Sequence, residues 1–436
     1  MRRSTLSSIR FGYGFGTNGA QSDDPRRLIN IAKASAKLPP RMPSAKRADM
    51  LVEWNARYKS SESEKKAVRQ EARRTAAADI RHHVARLVTD PGFGARLISF
   101  WCDHFTVAAQ GRHITALLPD YIDTAIRPNI TGRFADLLQA AVLHPAMLNY
   151  LNQTQSFGPN SRAGQRQKKG LNENLAREII ELHTLGVGGK YTQADVRAFA
   201  NLLTGLSQQK ARFKYRPAIT EPGPHKVLGK KYGDDLNAIR AALFDIAHHP
   251  DTARHVAQKL VHHFVGPSDA GLTNRVADVF RLSNGDLSKT YTALLTDERA
   301  WTPHMQKVKQ PLDFIVSALR AVGASEADIT GMKQKDFRRG IVASLEMMGQ
   351  PLFRPPGPDG WKEEAEAWIT PPGLAARSRW STAFAERIEQ DHDPRDFLKT
   401  ALADAATPLL EFAVAGSESR AEGLALTLVS PEFNRR

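Results

Sequence analysis

Acidic side chains are concentrated in one short stretch, residues 171–189 (LNENLAREIIELHTLGVGG). Glu178 and Glu181 lie three residues apart, which is the spacing of neighbours on one face of a helix. Two carboxylates held together in a cleft can share a proton or bind a divalent cation. The pair is therefore a candidate for acid–base catalysis or for metal binding.

The same stretch also has the properties of an ordinary solvated helix. Arg177 lies four residues from both Glu173 and Glu181, and each such pair would stabilise a helix by about 0.2–0.5 kcal/mol. His183 lies about 160° around the helix from Glu181, on the apolar side, where a packed histidine is more common than a metal ligand. The two interpretations differ in whether the polar face lines a cleft, and the sequence leaves both open.

A second candidate site lies in the segment FWCDHFTV, residues 100–107. Asp103 and His104 stand near the end of an aromatic-rich helix and could act as acid, base or metal ligand. If this helix packed beside Glu178 and Glu181, the four side chains could form a carboxylate–histidine site for a divalent metal. The alternative is that His104 hydrogen-bonds a carbonyl group and Asp103 pairs with an arginine.

Basic side chains are clustered in three segments that are predicted to be loops or hairpin strands. Arginine can give paired hydrogen bonds to the oxygens of phosphate or sulfate groups. The predicted anion-binding residues are Arg162, Arg166, Arg212, Lys214, Arg216 and Lys230. His225 lies in the last of these segments and is a further catalytic candidate. Solvated surface charge is the alternative interpretation of all three clusters.

Helices are the elements that must position these side chains, because helix signals dominate the sequence. Asp24 precedes Pro25, an arrangement that is typical of a helix start. Leu97, Trp101 and Phe105 recur at four-residue spacing, which places them on one apolar stripe. Strand signals are scarce, so the fold class is predicted to be mostly α.

The exception lies at residues 211–232, where charged and aromatic residues alternate and a turn rich in proline and glycine follows. A period of two is typical of a strand, so these residues are predicted to form one small β-hairpin inserted between helices. The whole chain, residues 1–436, is predicted to be one large multi-helix domain. It could divide into two lobes, residues 20–206 and residues 207–436.

The overall charge predicts anionic partners. A formal charge of +15 and a pI near 9.9 would attract an acidic polymer or protein. No helix-turn-helix or zinc-finger pattern indicates sequence-specific recognition of nucleic acid. No apolar stretch is long enough to span a membrane, and the first residues lack the apolar block of a secretory signal, so a cytoplasmic location is expected. Cys102 is the only cysteine, which excludes an internal disulfide.

Several blocks of the sequence stand in an order that resembles a known family. The most specific is NENLAREIIELHTLGVGGKYTQADVRAFANLLTG, residues 172–205, and others are FWCDHFTV, HPDTARHVAQKLVHHFV and MGQPLFRPPGPDGW. Together they resemble a large bacterial family known as domain of unknown function number 1800, over nearly the whole chain. Asp103 and His104 match the usual pattern of that family, whereas Cys102 stands where many relatives have another residue.

The resemblance implies little about the reaction, because the family has no settled activity. Its members often occur beside a family similar to sulfatases and alkaline phosphatases, and many carry export signals. Both features imply processing of an anionic polymer in the periplasm. This chain lacks a visible signal, so it would reach the periplasm only if an exported partner escorted it.

Two functions follow as hypotheses. The first is an enzyme-like cleft that acts on an anionic polymer or glycan, with His104, Glu178, Glu181 and His225 as catalytic residues. The second is a noncatalytic scaffold or chaperone that binds an acidic, sulfatase-like partner protein through its basic surface. A divalent metal at Asp103, His104, Glu178 and Glu181 is a weaker component of the first hypothesis, and no other cofactor is indicated.

Overall fold

The computed structural model describes residues 1–16, 19–90, 92–267 and 269–436. Helices make up most of the described chain, which confirms the predicted fold class. In chain order the α-helices are α1 (Arg3–Arg10), α2 (Pro25–Ala36), α3 (Ser44–Tyr58), α4 (Glu62–Thr89), α5 (Gly92–His104), α6 (Gly111–Tyr121), α7 (Phe134–Leu143), α8 (Pro145–Tyr150), α9 (Arg162–Gln167), α10 (Asn174–Glu178), α11 (Gln193–Leu203), α12 (Leu236–Ala247), α13 (Pro250–Phe264), α14 (Ala270–Leu282), α15 (Leu287–Leu295), α16 (Pro311–Ala321), α17 (Glu326–Gly331), α18 (Gln334–Phe337), α19 (Ala343–Met347), α20 (Pro371–Ile388), α21 (Pro394–Leu402), α22 (Pro408–Ala415), α23 (Arg420–Val429) and α24 (Pro431–Asn434).

Tighter and wider helical turns extend or join several of these helices. The wider π-type segments are Ile122–Ile126, Ile179–Thr184 and Arg338–Val342. The tighter 3₁₀ turns are Arg127–Asn129, Gln153–Gln155, Pro217–Ile219, Glu298–Trp301, Ala365–Ala367 and Ala403–Ala405. Across the residues that the structure describes, no helix is both long enough and apolar enough to cross a lipid bilayer.

The strands form two separate antiparallel hairpins in the described part of the chain. Strand β1 (Leu206–Gln209) pairs with β2 (Arg212–Tyr215), and β3 (His225–Val227) pairs with β4 (Lys230–Tyr232). The predicted β insertion is therefore confirmed, but it consists of two hairpins and begins earlier, at β1. The turn between β1 and β2 explains the difference, because its two residues adopt φ values of 52° and 59° without the glycine or asparagine that usually marks such a turn.

Capping side chains set where several helices begin. The Asp24 carboxylate accepts a hydrogen bond from the backbone N–H of Arg26 at 2.9 Å, and Pro25 is the first residue of α2, as predicted. At the start of α11, Thr192 and Asp195 bond each other's backbone N–H groups in a reciprocal capping box. A cap of this kind stabilises a helix by about 1 kcal/mol.

The core consists of two large hydrophobic clusters and a small third one formed by Phe157, Ala163 and Ile219. The larger one contains the predicted stripe of Leu97, Trp101 and Phe105, all fully buried. The second lies around α16 and the helices from α20 to α24. Helix α4 contributes to both, with Val68 in the first cluster and Val84 in the second. Each of the two large clusters contains residues that precede position 206 and residues that follow it. The division into two lobes remains a prediction.

Candidate functional site

A cavity of about 110 Å³ lies beside the polar side of α5. Residues of α5, α6, α13, α16 and the loop at residues 352–363 line it. Its ionisable and polar lining includes Asp103, Ser99, His263, Asp313, Trp361 and Glu363. Such a group of convergent polar side chains in an otherwise apolar cavity is the usual form of a small-molecule or catalytic site.

Asp103 is the central ionisable group of this cavity. Its Oδ1 atom accepts a hydrogen bond from the backbone N–H of Trp361 at 2.8 Å. Burial raises the pKa of Asp103 to about 7, although the Trp361 hydrogen bond opposes the shift and Glu363 adds to it. The carboxyl group is therefore close to half protonated at neutral pH, and it can donate or accept a proton there.

Gly360 allows the proline-rich loop to approach Asp103 so closely. The backbone of Gly360 has a φ of 80°, in the left-handed region that favours glycine. A Cβ atom at this position would lie 2.6 Å from Asp103 Oδ1 and 2.8 Å from its Cγ. Any larger residue would therefore push the loop away from the carboxyl group that it contacts.

Replacing Gly360 with alanine should lower the free energy of unfolding by about 1–3 kcal/mol, because it combines backbone strain with a steric clash. Urea denaturation would measure the change. Gly170→Ala is the matched control, since a Cβ there meets nothing within 4 Å and its φ is not in the left-handed region. The control should change stability by less than about 0.5 kcal/mol. Equal effects of the two substitutions would contradict the close approach.

His263 and Glu363 form a second ionisable unit in the cavity wall. The Nδ1 atom of His263 lies 2.5 Å from Glu363 Oε1, and its buried Nε2 atom has no hydrogen-bond partner among the described residues. Burial lowers the pKa of His263 to about 4, although Glu363 opposes that shift. The imidazole is therefore neutral at pH 7, with its Nδ1 proton held by the carboxylate and its Nε2 lone pair free to accept a proton.

Glu363 is held in its ionised form by several cations. Burial alone would raise its pKa, but His263, Lys307 and Arg436 outweigh burial and keep the pKa well below its usual range. Lys307 forms an ion pair with Glu363 Oε2, and Arg436 Nη2 lies 3.9 Å from the same oxygen. Glu363 therefore stays ionised in the same cavity in which Asp103 is easily protonated.

A buried ion network forms one wall of the cavity. Arg96 Nη1 lies 2.6 Å and Arg436 Nε 3.2 Å from Oδ2 of Asp313, and all three side chains are nearly inaccessible to solvent. Burial opposes ionisation of Asp313, but the two guanidinium groups outweigh it and lower its pKa. Arg96 also donates two hydrogen bonds to the carbonyl of Gly12. The network fixes α5 against α16.

The structure places His104 in the core, outside the cavity lining. Its Nε2 atom lies 3.0 Å from the carbonyl oxygen of His183, and Nε2 of His255 lies 2.9 Å from that of Leu182. These carbonyls belong to the π-type segment Ile179–Thr184, near its C-terminal end, where helical partners are lacking. The alternative prediction, that His104 hydrogen-bonds a carbonyl group, is therefore confirmed.

Glu178 and Glu181 lie on the polar face of α10 and the π-type segment that continues it, and both are half-buried. Arg177 pairs with Glu173 at 3.3 Å and with Glu181 at 3.1 Å, as expected for a self-neutralising face. Glu178 has no ion pair among the described residues. Burial raises its pKa, and Glu181 and Asp359 add to the shift. Asp359 likewise adds to the raised pKa of Asp103, after burial and Glu363, so it lies within electrostatic range of both sites.

The other predicted residues lie outside the cavity lining. His225 is buried in β3, with Nε2 3.2 Å from the carbonyl oxygen of Glu221. Of the predicted anion-binding residues, Arg212 pairs with Asp49 at 2.9 Å and Lys230 with Asp245 at 2.5 Å. The rest are exposed on α9 and around the first hairpin: Arg162, Arg166, Lys214 and Arg216. Their catalytic and anion-binding roles remain predictions.

The residues proposed for a metal do not form a ligand group. Within residues 1–16, 19–90, 92–267 and 269–436, no three His, Cys, Asp or Glu side chains are arranged to hold a metal ion. The weak metal candidates Asp103, His104, Glu178 and Glu181 are divided between the cavity, the core and the polar helix face. No mechanistic step is assigned to a metal.

The fold and cavity together define a mostly helical protein with a partly enclosed chamber lined by ionisable side chains. The chain belongs to the family described as "Protein of unknown function (DUF1800)", whose sequence model matches residues 9–435. This match confirms the resemblance found in the sequence. No curated protein and no solved structure matches the chain.

Proposed function

We propose that the protein is an enzyme that uses acid–base chemistry in the Asp103 cavity to cleave an anionic polymer or glycan. The observation that carries the proposal is the contrast between two groups of the same cavity. Asp103 has a pKa raised by burial to about 7, whereas His263 is neutral and oriented by the ionised Glu363. Environments that separate the proton affinities of neighbouring groups are typical of an acid and base pair.

In the proposed hydrolysis, His263 and Asp103 each carry out one proton transfer. His263 Nε2 removes a proton from water as the water oxygen forms a bond to the carbon of the scissile C–O bond. Protonated Asp103 gives its proton to the leaving oxygen as that bond breaks. Glu363 stabilises the imidazolium that forms, because its oxygen already accepts the Nδ1 proton. Proton exchange with solvent returns Asp103 and His263 to their starting states.

Trp361 supports a glycan as the substrate class. Its backbone holds Asp103, and its half-buried side chain lines the cavity beside that carboxyl group. An indole ring offers an apolar face to a sugar, with one polar N–H at its edge. The buried Trp368 packs behind it, with 6.0 Å between the ring centroids, and so supports the Trp361 indole.

The pH dependence of turnover tests the proposal. Asp103 must be protonated to act as an acid, so activity should be highest near pH 6 and fall as pH rises through about 7. Activity should also fall at low pH, where His263 becomes charged, since its pKa is about 4. Release of reducing ends from sulfated, carboxylated and neutral glycans, followed between about pH 4 and 9, would measure this.

Two outcomes would overturn the catalytic proposal. One is the absence of cleavage for every member of such a panel, with protein shown to be folded by circular dichroism. The other is a rate that continues to rise above about pH 8, since that profile requires a base where the proposal places an acid.

Exposed apolar side chains favour a second candidate function, a noncatalytic partner of a sulfatase-like protein. Leu409 and Phe412 on α22 are 77% and 78% exposed, and apolar surface of this kind commonly marks a protein contact. A one-to-one complex with a sulfatase-like neighbour, lost in Phe412→Glu and unchanged in Asp103→Asn, would support the scaffold role. Turnover by the purified chain alone would argue against it.

A further inference from the structure

A basic groove runs between α4 and α6. Its two connected parts have volumes of about 300 and 510 Å³ and share Arg69, Gly111 and Arg112. Small side chains form the floor, with Ala72 and Ala76 on α4 facing Gly111 and Ala116 on α6. Because these residues leave space between the helices, the longer arginine side chains form the walls.

Three arginines of this groove, Arg69, Arg73 and Arg112, are called here the groove arginines. No carboxylate of the described residues lies within 4.0 Å of any of them, so none of the three forms an ion pair, although Glu62 lies within electrostatic range of Arg69. The nearby glutamates are already engaged, because Arg57 pairs with three of them, Glu53, Glu64 and Glu71, at 3.2, 2.6 and 2.8 Å. The fourth, Glu62, pairs with Lys65. The groove therefore attracts anions.

Tyr58 holds two of the groove arginines in place. The guanidinium of Arg112 lies 3.9 Å from the centroid of the Tyr58 ring, and that of Arg69 lies 5.6 Å from it. Arg69 also donates to the Tyr58 hydroxyl at 3.0 Å, and Arg112 to Asn55 Oδ1 at 3.0 Å. These contacts orient both guanidinium groups before a ligand arrives, which reduces the entropy lost on binding.

The start of α6 adds a second attraction for anions. No side chain caps its first turn, which begins at Gly111 within the groove. Unbonded N–H groups at a helix start carry partial positive charge and bind oxyanions. The groove thus combines guanidinium groups and backbone amides around one space.

We infer that the groove is the binding subsite for the anionic groups of a polysaccharide, and this inference rests on the proposed function for the link to cleavage. Val107 lines the Asp103 cavity and Gly111 lines the groove, and four residues of extended chain reach at most about 14 Å. One polymer chain can therefore occupy both. Nucleic acid is disfavoured, because the two arginines contact the Tyr58 ring and the indole of Trp54, which also lines the groove, is buried, so neither ring offers an open face for base stacking.

Binding of defined polymers tests the inference independently of turnover. The probes are heparin, polygalacturonate, single-stranded DNA and neutral dextran, each measured by calorimetry with Asp103→Asn protein so that no cleavage occurs. The groove variant carries Arg69→Gln, Arg73→Gln and Arg112→Gln. The matched control, called the loop control, carries Lys333→Gln, Lys335→Gln and Arg339→Gln, which remove the same charge from exposed positions around the loop between α17 and α18.

The groove variant should bind at least one anionic polysaccharide about tenfold more weakly or worse, and the loop control less than about threefold more weakly. Equal losses in the two variants would overturn the inference, as would tighter binding of single-stranded DNA than of either polysaccharide. Groove-dependent binding without cleavage by the wild type would reject only the proposed reaction. Cleavage by the wild type, together with unchanged polymer binding by the groove variant, would reject only the subsite.

Discussion

Replacing Asp313 with asparagine should lower the free energy of unfolding by about 3–5 kcal/mol. Asp313 Oδ2 compensates two buried guanidinium groups, those of Arg96 and Arg436. Asparagine keeps the size of the side chain but removes its charge. Arg96 would then stay buried without its ion-pair partner, and Arg436 would keep only Glu363, at 3.9 Å. Removing one partner from a buried ion network costs far more than the network contributes relative to apolar residues. Urea denaturation at pH 7 would measure the loss.

Asp396→Asn is the matched control for this prediction. Asp396 pairs with Lys399 at 3.3 Å, but both side chains are about three-quarters exposed. An exposed pair contributes about 0–1 kcal/mol, so the control should be close to neutral. A decrease of less than about 1 kcal/mol in the free energy of unfolding of Asp313→Asn would contradict the buried contacts of Asp313 with Arg96 and Arg436.

Replacing Asp103 with asparagine should lower the rate of polymer cleavage by about 10²–10⁴ and leave polymer binding within about threefold. The amide is nearly the same size and can still accept the hydrogen bond from the Trp361 backbone, but it cannot donate a proton to a leaving oxygen. Initial rates at pH 6 under saturating polymer would measure the loss, with Asp396→Asn as the unchanged control. Loss of turnover in Glu178→Gln or Glu181→Gln, with Asp103→Asn active, would instead locate the reaction on the polar helix face.

The stability of the same variant separates catalysis from misfolding. The pKa of Asp103 is raised in the folded protein, so the folded state binds more protons than the unfolded state between about pH 4 and 7. Asp103 therefore makes its full contribution to the free energy of unfolding below about pH 4. This contribution is lost as the pH rises through about 7. Asparagine does not titrate, so Asp103→Asn should melt at a higher temperature than the wild type at pH 8. A lower melting temperature would point to a structural defect.

Local features of the fold could be predicted from the sequence because they depend on neighbouring residues. The Asp24 cap and the apolar stripe of Leu97, Trp101 and Phe105 follow from spacing alone. The start of the first hairpin could not be predicted, because its strand Leu206–Gln209 lacks alternation and its turn lacks a glycine. The side chain of Gln208 accepts a hydrogen bond from the backbone N–H of Ala211 across that turn, and this contact has no recognised sequence signal.

The cavity could not be assembled from the sequence, because its residues are distant along the chain. Asp103 contacts Trp361 across 258 residues, and His263 contacts Glu363 across 100. Asp103 was a candidate because it stands near the end of an aromatic-rich helix. The alternative interpretation gave it an arginine partner, whereas its partner in the structure is the backbone N–H of Trp361. Glu363 and Asp313 stood in segments without any distinguishing pattern. Only the fold shows that Glu363 lies beside two cations and the imidazole of His263, and that Asp313 lies between two arginines.

Helix α4 also has a mechanical consequence. Its 28 residues extend about 42 Å as a single rod, with Arg69 and Arg73 near one end and Val84 and Val88 near the other. The first end borders the basic groove, and the second is embedded in the hydrophobic cluster around α16. A force applied at the arginines would therefore be transmitted along one helix to both hydrophobic clusters.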